Sequence, residues 1–379
     1  MGTKSFETDE SVEAFGARAR AWLAEQRASA PPDWGPIMPA DRRAEGMAWQ
    51  RRLHDAGFAA IHWPVEYGGR GLTPEHTGAW NRACAEASVP SVLNMVGLVL
   101  AAGALLAYGT DEQKKEHLPR TARGDVVWCQ LFSEPGAGSD LASLSTRAVS
   151  DGDDWVVNGQ KVWCSGGRAS DWGILMARTD PDAPKHRGIS FFVVDMATKG
   201  IECRPLRQMT GDAEFDEVFL TGVRVPGGNL LGPLHEGWRV GMTTLTNERG
   251  HIGAGTVALE RRVEALVADA RQAGPLTAPH RDRLVQTLID AKVLLAMAQR
   301  QGPEASVASS LLKLGISELT VSIAQARADR AGMAASIADH PAAAGLVGSP
   351  GAKLGGGTSE VQRNIIGEIV LGLPKEPKL

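Results

Sequence analysis

Phe132-Ser133-Glu134-Pro135-Gly136-Ala137-Gly138-Ser139-Asp140 anchors the reading of everything around it. It follows a short apolar run, Val126-Val127-Trp128-Cys129-Gln130-Leu131, that reads as a strand. A proline, two glycines and two serines make it a loop whose backbone can approach something flat or anionic. Some way on comes Val156-Val157-Asn158-Gly159-Gln160-Lys161-Val162-Trp163-Cys164-Ser165-Gly166-Gly167. Asn158-Gly159 predicts a hairpin turn, followed by a strand that carries a tryptophan and ends in Ser-Gly-Gly. A close-approach loop beside an aromatic on a strand predicts a site for a planar, polyanionic cofactor.

Working outward, the 379 residues suffice for two or three domains with a sizeable core. With 43% hydrophobic and 22% charged residues, the composition is that of a soluble globular protein. A net charge of −4 gives no support to nucleic-acid binding, which calls for a basic excess. The cysteines Cys84, Cys129, Cys164 and Cys203 form no Cys-x-x-Cys pair, so neither a zinc site nor a disulfide scaffold is expected. The histidines form no His-x-x-x-His pattern, and no metal is expected. A reducing cytoplasm is the expected location. The N-terminus lacks the apolar core of a signal peptide. The longest apolar run, roughly 92–107, is broken by Asn94 and glycines and reads as a buried helix rather than a membrane span.

Three segments differ in character. Residues 1–124 carry helical periodicity and start signals, among them Thr73-Pro74-Glu75 and Thr110-Asp111-Glu112-Gln113, with one helix expected over Ala40 to Ala56. Residues 125–229 alternate short β-type runs with turns, which suits a small, mostly antiparallel β domain. Residues 230–379 return to helices, with a glycine- and alanine-rich loop expected between His340 and Gly357 and a last helix over Thr358 to Leu371.

The loop Ser133–Asp140, the strand Asn158-Gly159-Gln160-Lys161-Val162-Trp163 and the ending Gly356-Gly357-Thr358-Ser359-Glu360-Val361-Gln362-Arg363-Asn364-Ile365-Ile366-Gly367-Glu368 together resemble the acyl-CoA dehydrogenases. The likeness covers nearly the whole chain and implies an α+β fold: an N-terminal helical domain, a middle β domain and a C-terminal four-helix bundle. It also implies FAD as cofactor and α,β-dehydrogenation of an acyl-CoA thioester to the trans-2-enoyl-CoA, with electrons passed to an electron-transfer flavoprotein. By the same resemblance Gln130, Leu131, Phe132, Ser133, Gly138 and Ser139 line the flavin and the start of the acyl-CoA site. Ser139 lies near the thioester arm, Trp163 covers one face of the ring with Ser165 beside it, and Thr358 and Glu360 touch the FAD. Aromatic stacking and hydrogen bonds at the ring edge are how a protein tunes a flavin.

The implied base is a carboxylate reaching the α-carbon from the side opposite the flavin. Many members of the family carry it as a glutamate directly before the Gly-Thr of the C-terminal motif, where this chain has Gly356. Others place it on a helix just before an arginine. Here Leu245-Thr246-Asn247-Glu248-Arg249-Gly250 supplies Glu248 and Arg249 at that position, with Thr246 and Gly357 expected at the substrate. Gly250, Gly253 and Gly255 each cost a helix roughly 1 kcal/mol against alanine, which suggests a close neighbour. By the same resemblance the backbone N–H at this position polarises the thioester oxygen, and Gly356 keeps that N–H.

The family's Arg-x-x-Phe-Gly and Gln-x-x-Gly-Gly segments, which reach the FAD of a neighbouring subunit, are missing. Arg271 or Arg281 is the substitute for the first, and Arg330-Ala331-Gly332-Met333 stands where the second is expected. The chain is therefore expected to form a homo-oligomer, dimer or tetramer, or to pair with a different subunit. Another flavin reaction on the same fold, by an oxidase, desulfinase or monooxygenase, is the alternative activity.

Overall fold

The computed structural model describes residues 9–32, 34, 37–91, 93–250, 252–272, 274–298 and 305–375, with the side chains of 246–250, 252–258 and 305–308 outside the description. The chain divides into two compact units, Met1–Gln208 with Asp212–Asn247, and Met209–Gly211 with Glu248–Leu379.

The first unit opens with helices α1 (Val12–Gln26), α2 (Arg43–Asp55), α3 (Pro74–Ala87), α4 (Ala102–Tyr108) and α5 (Asp111–Arg123). Their starts follow local chemistry. Ser11 accepts the Ala14 N–H at 3.2 Å, and Thr73 and Thr110 each form a reciprocal capping box with the residue three positions on. The helix expected over Ala40 to Ala56 begins instead as a 3-10 turn, Ala40–Arg42, before α2. Phe15, Ala19 and Leu23 fall on one face of α1 and pack with Trp49, Phe58 and Trp80 in one core. A π-helical turn, Val96–Ala101, leads into α4. Asn94 holds it against the sheet: its Oδ1 accepts from the Gly97 and Trp128 N–H groups, and its Nδ2 donates to the Trp128 carbonyl at 3.0 Å.

The sheet follows: β1 (Trp128–Leu131), β2 (Arg147–Asp151), β3 (Asp154–Ser165), β4 (Trp172–Arg178), β5 (Ile189–Asp195), β6 (Ile201–Leu206) and β7 (Phe215–Pro226). The spatial order is β1-β4-β2-β3-β7-β6, with β5 on the other edge of β4. Pairing is antiparallel except where β4 meets β1 and β2. The expected Asn158-Gly159 hairpin is not there. Strand β3 runs through it, with a register shift against β7 between Val157 and Gly159. Asn158 Oδ1 instead accepts from the Gly222 N–H at 2.8 Å, and a Cβ on Gly159 would lie 2.8 Å from the Thr146 Cα. The glycine thus serves a bulge and a close strand approach rather than a turn. The hairpin lies earlier, where Asp151 pairs with Asp154 around Gly152 at φ 66°. Helix α6 (Gly237–Gly250) comes after the sheet.

In the second unit α7 (Ile252–Gln272), α8 (Ala278–Ala298) and α9 (Ala305–Ala331) share a core that includes Leu259, Leu266, Ala291, Leu294, Leu319 and Ile323. The loop expected after His340 contains a helix, α10 (Pro341–Gly348). Proline suits a first helical position and the alanines after it are the best helix formers, while the His340 ring accepts from the Ala342 N–H at 3.2 Å. Helix α11 (Ser359–Ile365) ends in a π-helical turn, Ile366–Val370. Among the described residues no helix is long and apolar enough to cross a membrane.

Candidate active site

The loop after β1 is held from beneath by a buried ion pair. Lys161 on β3 is fully buried, and its Nζ donates to Glu134 Oε1 and to the Phe132 carbonyl, both at 2.9 Å. The other side of the Glu134 carboxylate accepts the Ser145 N–H at 2.6 Å and the Ser145 hydroxyl at 2.7 Å, and Oε1 also takes the Thr146 N–H at 2.9 Å. Burial alone would raise the Glu134 carboxyl. The Lys161 charge and these hydrogen bonds outweigh it and hold the group down at about 2. Paired backbone bonds between Glu134 and Ala137 close the turn, and the Val162 N–H donates to the Ser133 carbonyl. The loop is thus a rigid arch whose tip, Pro135, Gly136, Gly138 and Ser139, is exposed.

Leu131 and Phe132 point their side chains into the cores, Phe132 edge-on to Phe191, so only their main chain is available to a ligand. Gln130, Ser133 and Ser165 are half-buried. Within the second register shift of β3, between Lys161 and Cys164, Trp163 sits at φ 59° and leaves 55% of its surface exposed, with its ring edge-on to Phe215. A non-glycine residue in the left-handed region costs roughly 1–2 kcal/mol, and such strain collects at functional sites. Next to it, Asp216 is fully buried and accepts the Arg168 N–H and guanidinium, which fixes the turn after Ser165. A cleft lined by Met38, Asn94, Val96, Trp128 and Ser165 opens in the same unit.

In the second unit, considered by itself, a glycine turn precedes α11. Gly356 and Gly357 have φ 67° and 89°, and neither N–H has a partner among the described residues. Thr358 caps α11, accepting the Val361 N–H at 3.2 Å, while Glu360 is exposed beside Arg363. Gln362, fully buried, donates from Nε2 to the Gly356 carbonyl at 3.0 Å.

Arg271, in the last turn of α7, and Arg281 on α8 are both exposed. Thr246, Glu248 and Arg249 fall on the α6 backbone, but their side chains lie outside the described residues, as does His251. Burial pushes the Cys129 and Cys164 thiols well up and, with the Asp216 charge, Cys203 to about 11, so these three offer no thiolate nucleophile. Among the described residues no cluster could hold a metal. Sequence reading missed Lys161, Glu134 and Gln362 as site-building residues. The available signal was a polar residue at an otherwise apolar position: a lysine amid a strand, and a glutamine on the inward stripe of α11 with Ser359.

Family models for the acyl-CoA dehydrogenase N-terminal, middle and C-terminal domains match residues 9–125, 129–223 and 235–371. The acyl-CoA dehydrogenase IpdE1 of Mycobacterium tuberculosis is 37% identical over 97% of this chain and 100% of its own. The chain belongs to the acyl-CoA dehydrogenase family. Solved structures agree. The Tcur3481-Tcur3483 steroid ACAD aligns with TM-score 0.82 and 28% identity over 98% of this chain and 100% of that one. The ChsE4-ChsE5 complex of Mycobacterium tuberculosis aligns with TM-score 0.80 and 29% identity over the same shares. The fold is the family's helical, β and helical architecture. The protein is an FAD-dependent oxidoreductase that dehydrogenates an acyl-CoA.

The residues present fit that cofactor. An aromatic held in a strained conformation presents an open face, and Cβ atoms built on Gly136, Gly138 and Gly166 would meet nothing within 4 Å, which leaves room for a planar ring system.

Proposed function

We propose that the chain acts on a bulky, steroid-type acyl-CoA, with Glu248 as the base that takes the α-proton. FAD, when bound, supplies the hydride acceptor for the β-hydrogen. The observation that carries the assignment of the base is Gly356. Its φ of 67° lies in the left-handed region, where a glutamate would be strained, so the usual carboxylate position is built for glycine. The base must then come from elsewhere, and Glu248 precedes an arginine on a helix, as in the family's second arrangement.

The remaining roles follow from the same reading. Trp163 covers one face of the flavin, and Ser165 with the main chain of Gln130–Ser133 meets its edge. Gly138 and Ser139 border the thioester arm, and Thr246, Arg249 and Gly357 border the acyl end. Thr358 and Glu360 approach the FAD, with Arg271 or Arg281 at a pyrophosphate. The Gly356 N–H donates to the thioester oxygen as it gains charge. The steroid-type substrate is suggested by the Tcur3481-Tcur3483 protein, described as a steroid ACAD.

The test is anaerobic bleaching of the visible flavin spectrum with a panel of acyl-CoAs, including a steroid CoA thioester. Glu248→Gln is expected to keep the spectrum and lose turnover by roughly a thousandfold. Near-normal turnover in that variant overturns the base, and bleaching by short linear acyl-CoAs alone overturns the substrate class.

A second proposal concerns assembly. One structural relative is the ChsE4-ChsE5 complex, another carries a double name, Tcur3481-Tcur3483, and this sequence lacks the family's two cross-subunit FAD segments. We infer that it pairs with a second acyl-CoA dehydrogenase chain and passes electrons to an electron-transfer flavoprotein. Native mass measurement of the protein purified alone and after co-expression tests the pairing. A stable, fully flavinated homo-oligomer would sink it.

A further inference from the structure

We propose that Gln362 is the positioning residue of the thioester-binding turn: its side-chain amide locks the Gly356–Gly357 peptide so that the turn offers N–H groups rather than a carbonyl. The inference rests on the reading of Gly356 as the oxyanion donor. Two consecutive glycines form the peptide most free to flip, because neither side chain opposes rotation. That peptide carries the Gly357 N–H rather than the Gly356 donor, so a flip would leave the donor in place and bring a carbonyl lone pair to where the neighbouring Gly357 N–H had been. A negative dipole would then stand beside the donor and oppose the charge that gathers on the thioester oxygen.

Gln362 removes that freedom. Its Nε2 donates to the Gly356 carbonyl at 3.0 Å. In a planar trans peptide the carbonyl and the following N–H point opposite ways, so holding the Gly356 oxygen aims the Gly357 N–H away from Gln362. The donor itself is held. The Gln362 N–H bonds the Thr358 carbonyl at 2.9 Å, Thr358 caps the same turn, and the side chain is fully buried. The fit is close, since a Cβ on Gly357 would stand 2.8 Å from Gln362 Nε2. The Gln362 Oε1 is left without a partner among the described residues. A buried, unpaired acceptor is a cost that helix packing alone would avoid by using leucine or methionine.

The test uses the FAD-loaded enzyme and two variants. Gln362→Met keeps length and removes the donor. Gln362→Glu keeps shape, and the introduced carboxyl donates only when protonated. The readouts are kcat and KM separately, melting temperature, and the infrared carbonyl stretch of a bound, non-oxidisable acyl-CoA analogue labelled with 13C at the thioester carbon. In the parent enzyme the stretch is expected to move to lower frequency on binding. In Gln362→Met most of that shift disappears and kcat falls roughly 10- to 100-fold, while KM stays within about threefold. In Gln362→Glu the shift returns as pH is lowered, and kcat relative to the parent at the same pH returns with it. Absence of the shift in the parent enzyme overturns the reading of Gly356. A parental shift with full retention in both variants overturns the role of Gln362. So does activity that falls only in step with the folded fraction.

Discussion

Lys161→Met is the perturbation whose magnitude the structure constrains most closely. Removing the ammonium leaves the Glu134 carboxylate, 5% exposed, without its counter-charge and the Phe132 carbonyl without its donor. Breaking a buried pair from one side costs about 3–5 kcal/mol. The Glu134 value supports that scale: a fall from 4.5 to about 2 corresponds to roughly 3 kcal/mol of preference for the ionised form. Because the folded value lies below the unfolded one, this stability is fully present above pH 4.5 and is lost as pH falls toward 2. In Lys161→Met the carboxyl loses the charge that held it down, its value rises, and protonation on acidification relieves the fold. The stability gap between parent and variant should therefore narrow between pH 7 and pH 4.

Tryptophan fluorescence under urea is the assay, because all ten tryptophans precede residue 248 and report the first unit alone. Adding Glu134→Gln to Lys161→Met should recover part of the loss, since no unpaired charge is then buried. A loss within about 0.5 kcal/mol, typical of surface changes, would refute the reasoning, as would a gap that does not change with pH.

Other outcomes follow from strained or crowded positions. Trp163→Gly relieves the left-handed strain but gives up the packing of a side chain almost half buried, its edge contact with Phe215 included. These oppose each other, so the flavin-free protein should change by no more than about 1 kcal/mol, while FAD retention on dilution should fall at least tenfold. Melting curves with and without FAD separate the two effects. Gly357→Ala meets Gln362 Nε2 at a backbone φ of 89°, so it should cost about 1–3 kcal/mol and lower kcat more than it raises KM, as seen by urea unfolding of the second unit and steady-state kinetics.

Much of the fold was legible in local chemistry. Thr73, Thr110 and Thr358 each mark a helix start because a hydroxyl and its N–H partner are close in sequence. The three-part order of helices, strands and helices was legible from periodicity. The Asn158-Gly159 dipeptide misled because a bulge and a hairpin ask the same residue types for the same freedom, and only the partner strand decides between them. Lys161 was illegible as a loop anchor because its partner stands twenty-seven positions away and a strand lysine is ordinarily exposed. Gly356 was conspicuous as the place where a carboxylate was expected. Its left-handed backbone supplies the physical reason and was not in the sequence. The side chains of Thr246, Glu248 and Arg249 lie outside the described residues, so their roles rest on sequence position.

Trp163 carries a further consequence. Anyone choosing a residue for this backbone by conformational preference would write glycine or asparagine at φ 59°. Under the proposed role, each such choice relaxes the backbone and gives a protein that no longer holds its flavin. Libraries screened for thermal tolerance alone should therefore tolerate the loss of Trp163, and libraries screened for colour should keep it.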